Sequence, residues 1–176
     1  MLNEFCEFCE MGSEIIFRRA EEADIPLLME LAHRIWRAHY PAIITTEQIE
    51  YMLKNWYSAE NLIQQMREGQ ITTLIIVNNR PLGYISIKEM EPGHFLLSKF
   101  YIDTTEHRQG IGSMTFQYAL QDICKNYKSI RLQVNRRNIK AINFYFKNGF
   151  KIEQTCELDL GNGFVMDDFI MELRSN

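Results

Sequence analysis

Cysteine, proline and glycine are all scarce in this chain, which has four cysteines, four prolines and nine glycines among its 176 residues. A disulfide scaffold would need a higher cysteine density in a smaller chain. Cys6-x-x-Cys9 has no second pair at zinc spacing, whereas a tetrahedral zinc site takes four ligands. We therefore expect reduced thiols and no metal site.

Long apolar runs and an excess of positive charge are also missing. No run approaches the roughly 18 apolar residues of a membrane span, and the first residues lack the basic region of a signal peptide. The formal net charge is −4, which gives no electrostatic reason to expect a nucleic-acid partner. These absences predict a cytoplasmic protein that binds neither membrane nor nucleic acid.

Hydrophobic residues make up 46% of the chain, which is enough for one compact domain with a substantial core. Regular patterning begins only near Glu14. We therefore expect a disordered or loosely ordered leader over residues 1–13 and a single domain over residues 14–176. Met1 and Met11 both remain open as the natural start.

Two hydrophobic periods divide this domain into helices and strands. Helical spacing predicts five helices, at 22–40, 45–57, 58–69, 113–127 and 138–149. Strand-like runs predict seven strands, at 14–20, 70–79, 81–90, 95–103, 129–134, 150–160 and 164–173. The order predicts an α/β (α+β) fold, with one mixed central sheet of about seven strands and helices on both faces.

A glycine pair, Gly110-x-Gly112, lies between a predicted strand and a predicted helix. Glycines there let the backbone approach a phosphate, and the first amides of a helix attract anions. The segment is not a Walker loop, because no Gly-Lys-Ser/Thr follows. It is not a dinucleotide fingerprint either, because Thr115 occupies the place of the third glycine. By itself the pair indicates only an anion site.

A second motif lies one predicted strand further on, and its conspicuous residues are Asn138-x-x-Ala141-x-x-Phe144-Tyr145-x-x-x-Gly149-Phe150. Together with Gly110-x-Gly112, it resembles the GNAT superfamily of N-acetyltransferases from about Glu14 to the C-terminus. The resemblance implies acetyl-CoA as cosubstrate and direct attack by an amine in a ternary complex. One departure stands out, since the family favours Gln or Arg where this chain has His107.

The resemblance also assigns residues to the cofactor. Backbone groups of the strand 95–103 would bind the pantetheine arm of CoA and polarise the thioester carbonyl. The glycine loop would hold the pyrophosphate, and Asn138 would hydrogen-bond the pantetheine arm. Basic residues around the two motifs, Arg108, Arg136, Arg137, Lys140 and Lys147, are candidates for the phosphates, although a solvated surface explains each one equally well. The cofactor-binding set is Phe100, Tyr101, Ile102, His107, Arg108, Gln109, Gly110, Ile111, Gly112, Ser113, Asn138, Tyr145 and Lys147.

Catalysis needs an acid for the departing thiolate and a base for the amine. By the resemblance, Tyr145 is the acid, although it also fits an aromatic core position. Many relatives carry a carboxylate on the strand before the loop, where this chain has Ser98. The base is therefore open among residues that reach the amine through water: Glu89, Glu91, His94, Asp103, His33 and His39.

The acceptor is expected to be a primary amine. The final hairpin and the segment 40–53 are similar to those of bacterial spermidine/spermine acetyltransferase-like members of the family, which suggests a polyamine. Trp36, Tyr40 and Asp168 are the candidate substrate residues, with Tyr51 and Trp56 as further aromatic candidates. Each also fits a core or solvated position.

Two alternatives to a small-amine enzyme stay open on the sequence. One is an enzyme that acetylates protein or peptide N-termini, and the other is a non-catalytic acyl-CoA-binding regulator. An intact Tyr145 favours an enzyme, whereas Ser98 in place of an acid favours the regulator. Edge strands leave a homodimer possible.

Overall fold

The computed structural model describes residues 6–10, 13–103 and 110–175. Its strands are β1 Cys6–Glu10, β2 Ser13–Arg19, β3 Ile71–Val77, β4 Arg80–Glu91, β5 His94–Ile102, β6 Ser129–Asn135, β7 Lys151–Gly161 and β8 Phe164–Arg174. Its α-helices are α1 Ile25–His39, α2 Thr46–Trp56, α3 Ala59–Arg67, α4 Ile111–Tyr118 and α5 Ile139–Lys147. Short helical turns lie at Glu22–Asp24, Tyr40–Ala42 and Ala119–Ile123.

The strands form one mixed sheet in the order β1-β2-β3-β4-β5-β6-β8-β7. Strands β5 and β6 run parallel, and the other described neighbours run antiparallel. The predicted mixed sheet with helices on both faces is confirmed, and β1 brings the number of strands to eight. This strand lies within the expected leader, and the boundary between residues 13 and 14 stays a prediction.

Local signals explain where the helices and turns begin. Thr45 caps α2 by accepting a hydrogen bond from the Gln48 amide at 3.2 Å, and Ser58 caps α3 in the same way. Asn78 and Asn79 adopt positive φ values of 48° and 61°, which suit the tight turn between β3 and β4. The Gln48 side chain does not complete a capping box, because it donates to the Val165 carbonyl at 2.9 Å. It thereby ties α2 to β8.

The core lies on both faces of the sheet. Helices α1, α2 and α3 pack against one face, around Leu31, Trp36 and Tyr84. Helices α4 and α5 cover the other, around Phe116, Ile142 and Phe150. Strand β7 ends the sheet and leaves one edge unpaired in the described structure, so a homodimer stays a prediction.

Candidate active site

The site begins where the parallel strands separate. Strands β5 and β6 pair from His94 with Ser129 to Leu97 with Leu132, and then part. Beyond this point β5 still pairs with β4, through Phe100, Tyr101 and Ile102, and β6 still pairs with β8. Each strand therefore turns one backbone edge toward the gap. Backbone groups on such an edge can bind an extended ligand as a further strand.

A bulge at Ser98 sets which side chains face the gap. On β4, Ser86 pairs with Lys99 of β5, and the next residue of β4, Ile87, pairs with Leu97. Ser98 lies between these two partners and is therefore the extra residue of β5. Simple alternation would put Lys99 on the same face as Leu97. The bulge reverses the alternation, and Lys99 and Tyr101 instead face α1, α2 and α3.

A cavity of ≈ 290 Å³ opens on the α1 side of the gap, and we call it the first cavity. Aromatic rings form much of its wall, and its polar lining includes one acid and one lysine. Its lining includes Trp36, Tyr40, Gln48, Met52, Tyr57, Lys99, Tyr101, Asn135, Asn138, Tyr145, Met166 and Asp168. The Trp36 and Tyr40 rings stack with centroids 4.2 Å apart, which gives the cavity a flat aromatic face.

A second cavity, of ≈ 450 Å³, lies on the α5 side of the same gap. Its lining includes Phe100, Ile102, Gly112, Arg137, Lys140 and Phe144. Tyr40, Phe100, Tyr101, Asn138, Ala141 and Tyr145 line both cavities. One extended molecule can therefore enter from α4 and α5 and present its end to the first cavity.

Tyr145 lies at this common wall, on the buried face of α5. Phe144 and Phe150 hold its ring in edge contacts, with centroids 5.5 Å and 5.4 Å away. Burial raises the pKa of Tyr145 above its ordinary value of 10.0. The phenol therefore keeps its proton at neutral pH and can donate it to a leaving group in the gap.

Asp168 is a buried acid in the first cavity, with a side chain only 2% exposed. It lies on β8 opposite Asn135 of β6. Burial, followed by the charge of Asp167, raises the pKa of Asp168 from 3.8 to about 6, while hydrogen bonding from Asn135 opposes the shift. The neighbouring Asp167, unlike Asp168, has a cationic partner, because its carboxylate pairs with Arg136 at 2.9 Å.

Lys99 is the buried cation of the first cavity and is 7% exposed. Its Nζ donates to Gln65 Oε1 and lies 5.7 Å from the centroid of the Tyr57 ring. Burial lowers the pKa of Lys99 from 10.5 to about 8. The Tyr57 hydroxyl, in turn, hydrogen-bonds that of Tyr101.

Most of the predicted cofactor residues that the structure describes lie together. Phe100, Tyr101 and Ile102 border the second cavity, and Gly112 lines it from the first turn of α4. Gly110 precedes α4 with a φ of +97°, a left-handed conformation that glycine adopts freely. Ile111 and Ser113 belong to the same first turn of α4, whose backbone amides have no partner within the helix and can bind an anion.

The remaining cofactor residues divide into three groups. Asn138 lines both cavities and also caps α5, by accepting a hydrogen bond from the Ala141 amide at 3.2 Å. Lys147 is exposed in the last turn of α5, outside the lining of either cavity. His107, Arg108 and Gln109 lie outside the described residues.

The sequence left several possible bases open, and most of them lie away from the gap. His94 bonds Ser129 at the far end of β5, Glu89 bonds the Gly93 amide, and Glu91 lies beside them. Asp103 is buried and pairs with Arg34 at 3.0 Å. His39 lines the second cavity, and burial followed by the Lys140 charge lowers its pKa.

Sequence reasoning missed Tyr57, Lys99 and Asn135 as site residues. Lys99 was not predicted as a site residue because no clear sequence pattern indicates the bulge at Ser98. Tyr51 and Trp56, the further aromatic candidates, pack with each other instead, and the Tyr51 hydroxyl donates to the Leu160 carbonyl at 2.7 Å. Over the described residues no three potential metal ligands cluster, and no helix is long and apolar enough to cross a membrane.

A parallel pair that opens beside a glycine-led helix, with a buried tyrosine at the opening, is the arrangement that the sequence resemblance implies for an acyltransferase using a CoA thioester. The described residues fit acetyl-CoA, because β5 offers an unpaired backbone edge and α4 a glycine-lined first turn. The model of the GNAT acetyltransferase domain matches residues 42–166, and the chain belongs to this family. It is an N-acetyltransferase whose cosubstrate is acetyl-CoA.

Comparison with individual proteins agrees with this assignment. Over 160 residues, the chain is 29% identical to a spermidine N(1)-acetyltransferase of Thermoplasma acidophilum, covering 87% of this chain and 96% of that protein. The crystal structure of the PaiA N-acetyltransferase of Thermoplasma acidophilum in complex with coenzyme A matches with a TM-score of 0.75 and 27% identity, over 92% of this chain and 99% of that one.

A ribosomal-protein-alanine N-acetyltransferase of Brucella melitensis matches with a TM-score of 0.66 and 19% identity, over 90% of this chain and 99% of that one. At this identity the likeness concerns the fold alone. Enzymes named for small and for protein acceptors thus share this architecture, so the acceptor has to be argued from the first cavity.

Proposed function

We propose that the acceptor is a primary alkyl amine, with a polyamine such as spermidine or spermine as the leading candidate. The observation that carries the proposal is the first cavity, where stacked aromatic rings lie together with the buried acid Asp168. Aromatic faces attract ammonium groups and also pack against methylene chains. A carboxylate favours the protonated amine as it arrives. The likeness to a spermidine N(1)-acetyltransferase supports the same class.

The size of the cavity supports a small acceptor. At ≈ 290 Å³ it has room for one alkyl amine arm, and Tyr145 and Tyr101 form the wall nearest the gap. A shallower cavity of ≈ 400 Å³ adjoins it through Ile44, Gln48 and Asn135. The rest of a longer amine can lie there, where Asp167 already pairs with Arg136.

The roles of the residues follow from these positions. Acetyl-CoA supplies an activated acetyl group as a thioester. The open backbone edge of β5 would bind its pantetheine arm, and the first turn of α4 its pyrophosphate. Tyr145 would give its proton to the departing thiolate. The walls formed by Trp36 and Tyr40 would orient the amine toward the gap.

The test is thiol release from acetyl-CoA with a panel of spermidine, spermine, putrescine, butylamine and a peptide with a free N-terminus. We expect release with the alkyl amines and little with the peptide. Trp36→Ala should raise KM for the amines, whereas Trp56→Ala, on the outer side of α2, serves as the matched aromatic control. Release with the peptide alone would replace the proposal by N-terminal acetylation. No release with any acceptor would refute it.

A further inference from the structure

We infer that Asp168 is the catalytic base, the group that removes the proton from the acceptor ammonium before the nitrogen attacks. The inference rests on the proposed function, because it concerns the same cavity and the same amine. The sequence offered Asp168 only as a substrate-binding residue and left the base open.

The geometry of the carboxyl group is the first support. Its Oδ1 is buried and has no hydrogen-bond partner among the residues that the structure describes. Buried polar atoms in folded proteins are almost always paired, so an unpaired carboxylate oxygen in a cavity wall calls for a ligand. A cationic amine in the first cavity would pair with it.

The second support is the set of groups around Asp168. The charged and titratable groups around Asp168 come from every neighbouring element: Asp167 on β8, Cys156 on β7, Tyr145 on α5, Lys99 and Tyr101 on β5, Tyr40 after α1, Tyr57 after α2, and Arg136, which pairs with Asp167. The four phenols are neutral at physiological pH, since burial raises the pKa of each. No cation forms an ion pair with Asp168 in the described structure, so the carboxyl group is free to gain and lose a proton.

The third support is basicity suited to the reaction. An aspartate with a pKa of about 6 is mostly ionised near pH 7.5 and holds a proton more strongly than an ordinary aspartate. The two other candidate acids each form an ion pair, which stabilises the carboxylate and makes it a weaker base. Asp103 is held by Arg34, and Asp167 is held by Arg136.

The proton balance can be written completely. Asp168 Oδ1 takes one proton from the ammonium, and the freed nitrogen lone pair forms the N–C bond. The C–S bond breaks, and the sulfur keeps its electron pair and takes a proton from Tyr145. The nitrogen loses a second proton as the amide forms, and this proton replaces, through solvent, the one that Tyr145 gave. Asp168 releases its proton to solvent, so each turnover yields one proton.

The experiment compares Asp168→Asn with Asp167→Asn, its neighbour on the opposite face of β8. With the panel amine that the wild type turns over fastest, Asp168→Asn should lower kcat by about 10²–10⁴-fold, the usual contribution of a positioned base. The wild type should show an acid limb in kcat near pH 6. Asp167→Asn should keep this limb at a somewhat lower pH, because it removes a negative charge that raises the pKa of Asp168, whereas Asp168→Asn should lose the limb. A fall in kcat together with loss of the acid limb distinguishes a base from a group that only binds the ammonium, whose removal would raise KM alone.

A second readout does not depend on turnover. The difference in unfolding free energy between wild type and Asp168→Asn should vary with pH between about 4 and 6, where the folded carboxyl titrates. Asp168→Asn with an unchanged kcat and an unchanged acid limb would overturn the inference while the proposed function stands. A raised KM with a normal kcat would make Asp168 a binding residue only. Failure of the wild type with every amine would refute the proposed function itself.

Discussion

Replacing Lys99 with methionine should stabilise the protein at neutral pH. Methionine has nearly the length of lysine, without the charge. Lys99 is 7% exposed, and burial lowers its pKa from 10.5 to about 8. Below pH 8 the folded protein therefore keeps a buried charge that water solvates better in the unfolded chain.

The pKa difference sets the size of this effect. A shift from 10.5 to about 8 is worth about 3 kcal/mol of unfavourable free energy when Lys99 is charged. The variant also loses the hydrogen bond to Gln65 and the cation–π contact with Tyr57, together worth about 1–2 kcal/mol. We therefore expect Lys99→Met to raise the unfolding free energy by about 1–2 kcal/mol at pH 7.

The sign of the pH dependence follows from linkage. Between pH 8 and 10.5 the unfolded chain binds more protons at this lysine than the folded one, so the wild type gains stability as pH rises. The advantage of the variant should shrink by about 2 kcal/mol between pH 7 and 9.5, as measured by urea unfolding of both proteins. The exposed Lys125→Met is the control and should stay parallel to the wild type. A constant difference, or a variant that is less stable at pH 7, would refute the reasoning.

Four other substitutions test the site. Gly83→Ala should lower the unfolding free energy by about 1–3 kcal/mol and reduce activity, because its Cβ would lie 2.0 Å from the Tyr101 carbonyl oxygen; thermal unfolding and thiol release would measure both. Tyr145→Phe should lower kcat by about 10²-fold or more with acetyl-CoA affinity retained, and equal kcat values would dismiss the acid role. Calorimetry should find acetyl-CoA affinity weakened more by Gly112→Val than by His107→Ala, and complete loss of binding in the latter would reverse this ranking.

The secondary structure was largely predictable because its signals are local. Helical spacing and the caps at Thr45 and Ser58 set α2 and α3, and the Asn78-Asn79 pair marks the turn before β4. The helix expected at 113–127 begins at Ile111, directly after the left-handed Gly110, and changes to a π-helical turn at Ala119. Hydrophobic spacing predicts neither the backbone conformation of a glycine nor the hydrogen-bond register of a helix.

The candidate site was predictable only where a motif carried it. Gly112, Asn138 and Tyr145 belong to motifs and lie together in the structure. Lys99 and Tyr57 come from β5 and the end of α2, and they meet because an extra residue at Ser98 turns Lys99 toward the α1 face. The pairing of Asn135 with Asp168 likewise depends on the β6–β8 register, which joins residues far apart in sequence.

The two destabilising charges of the first cavity bear on what the cavity does. The other buried acids among the described residues pair with cations: Asp103 with Arg34, and Glu172 with Arg131 and Arg174. Asp168 and Lys99 have no such partners, and burial moves the pKa of each toward neutrality. Selection for stability alone would replace such groups with neutral ones of the same shape, whereas proton transfer near pH 7 requires groups that titrate there. Their presence in one cavity therefore supports its assignment as the place where an amine is bound and deprotonated.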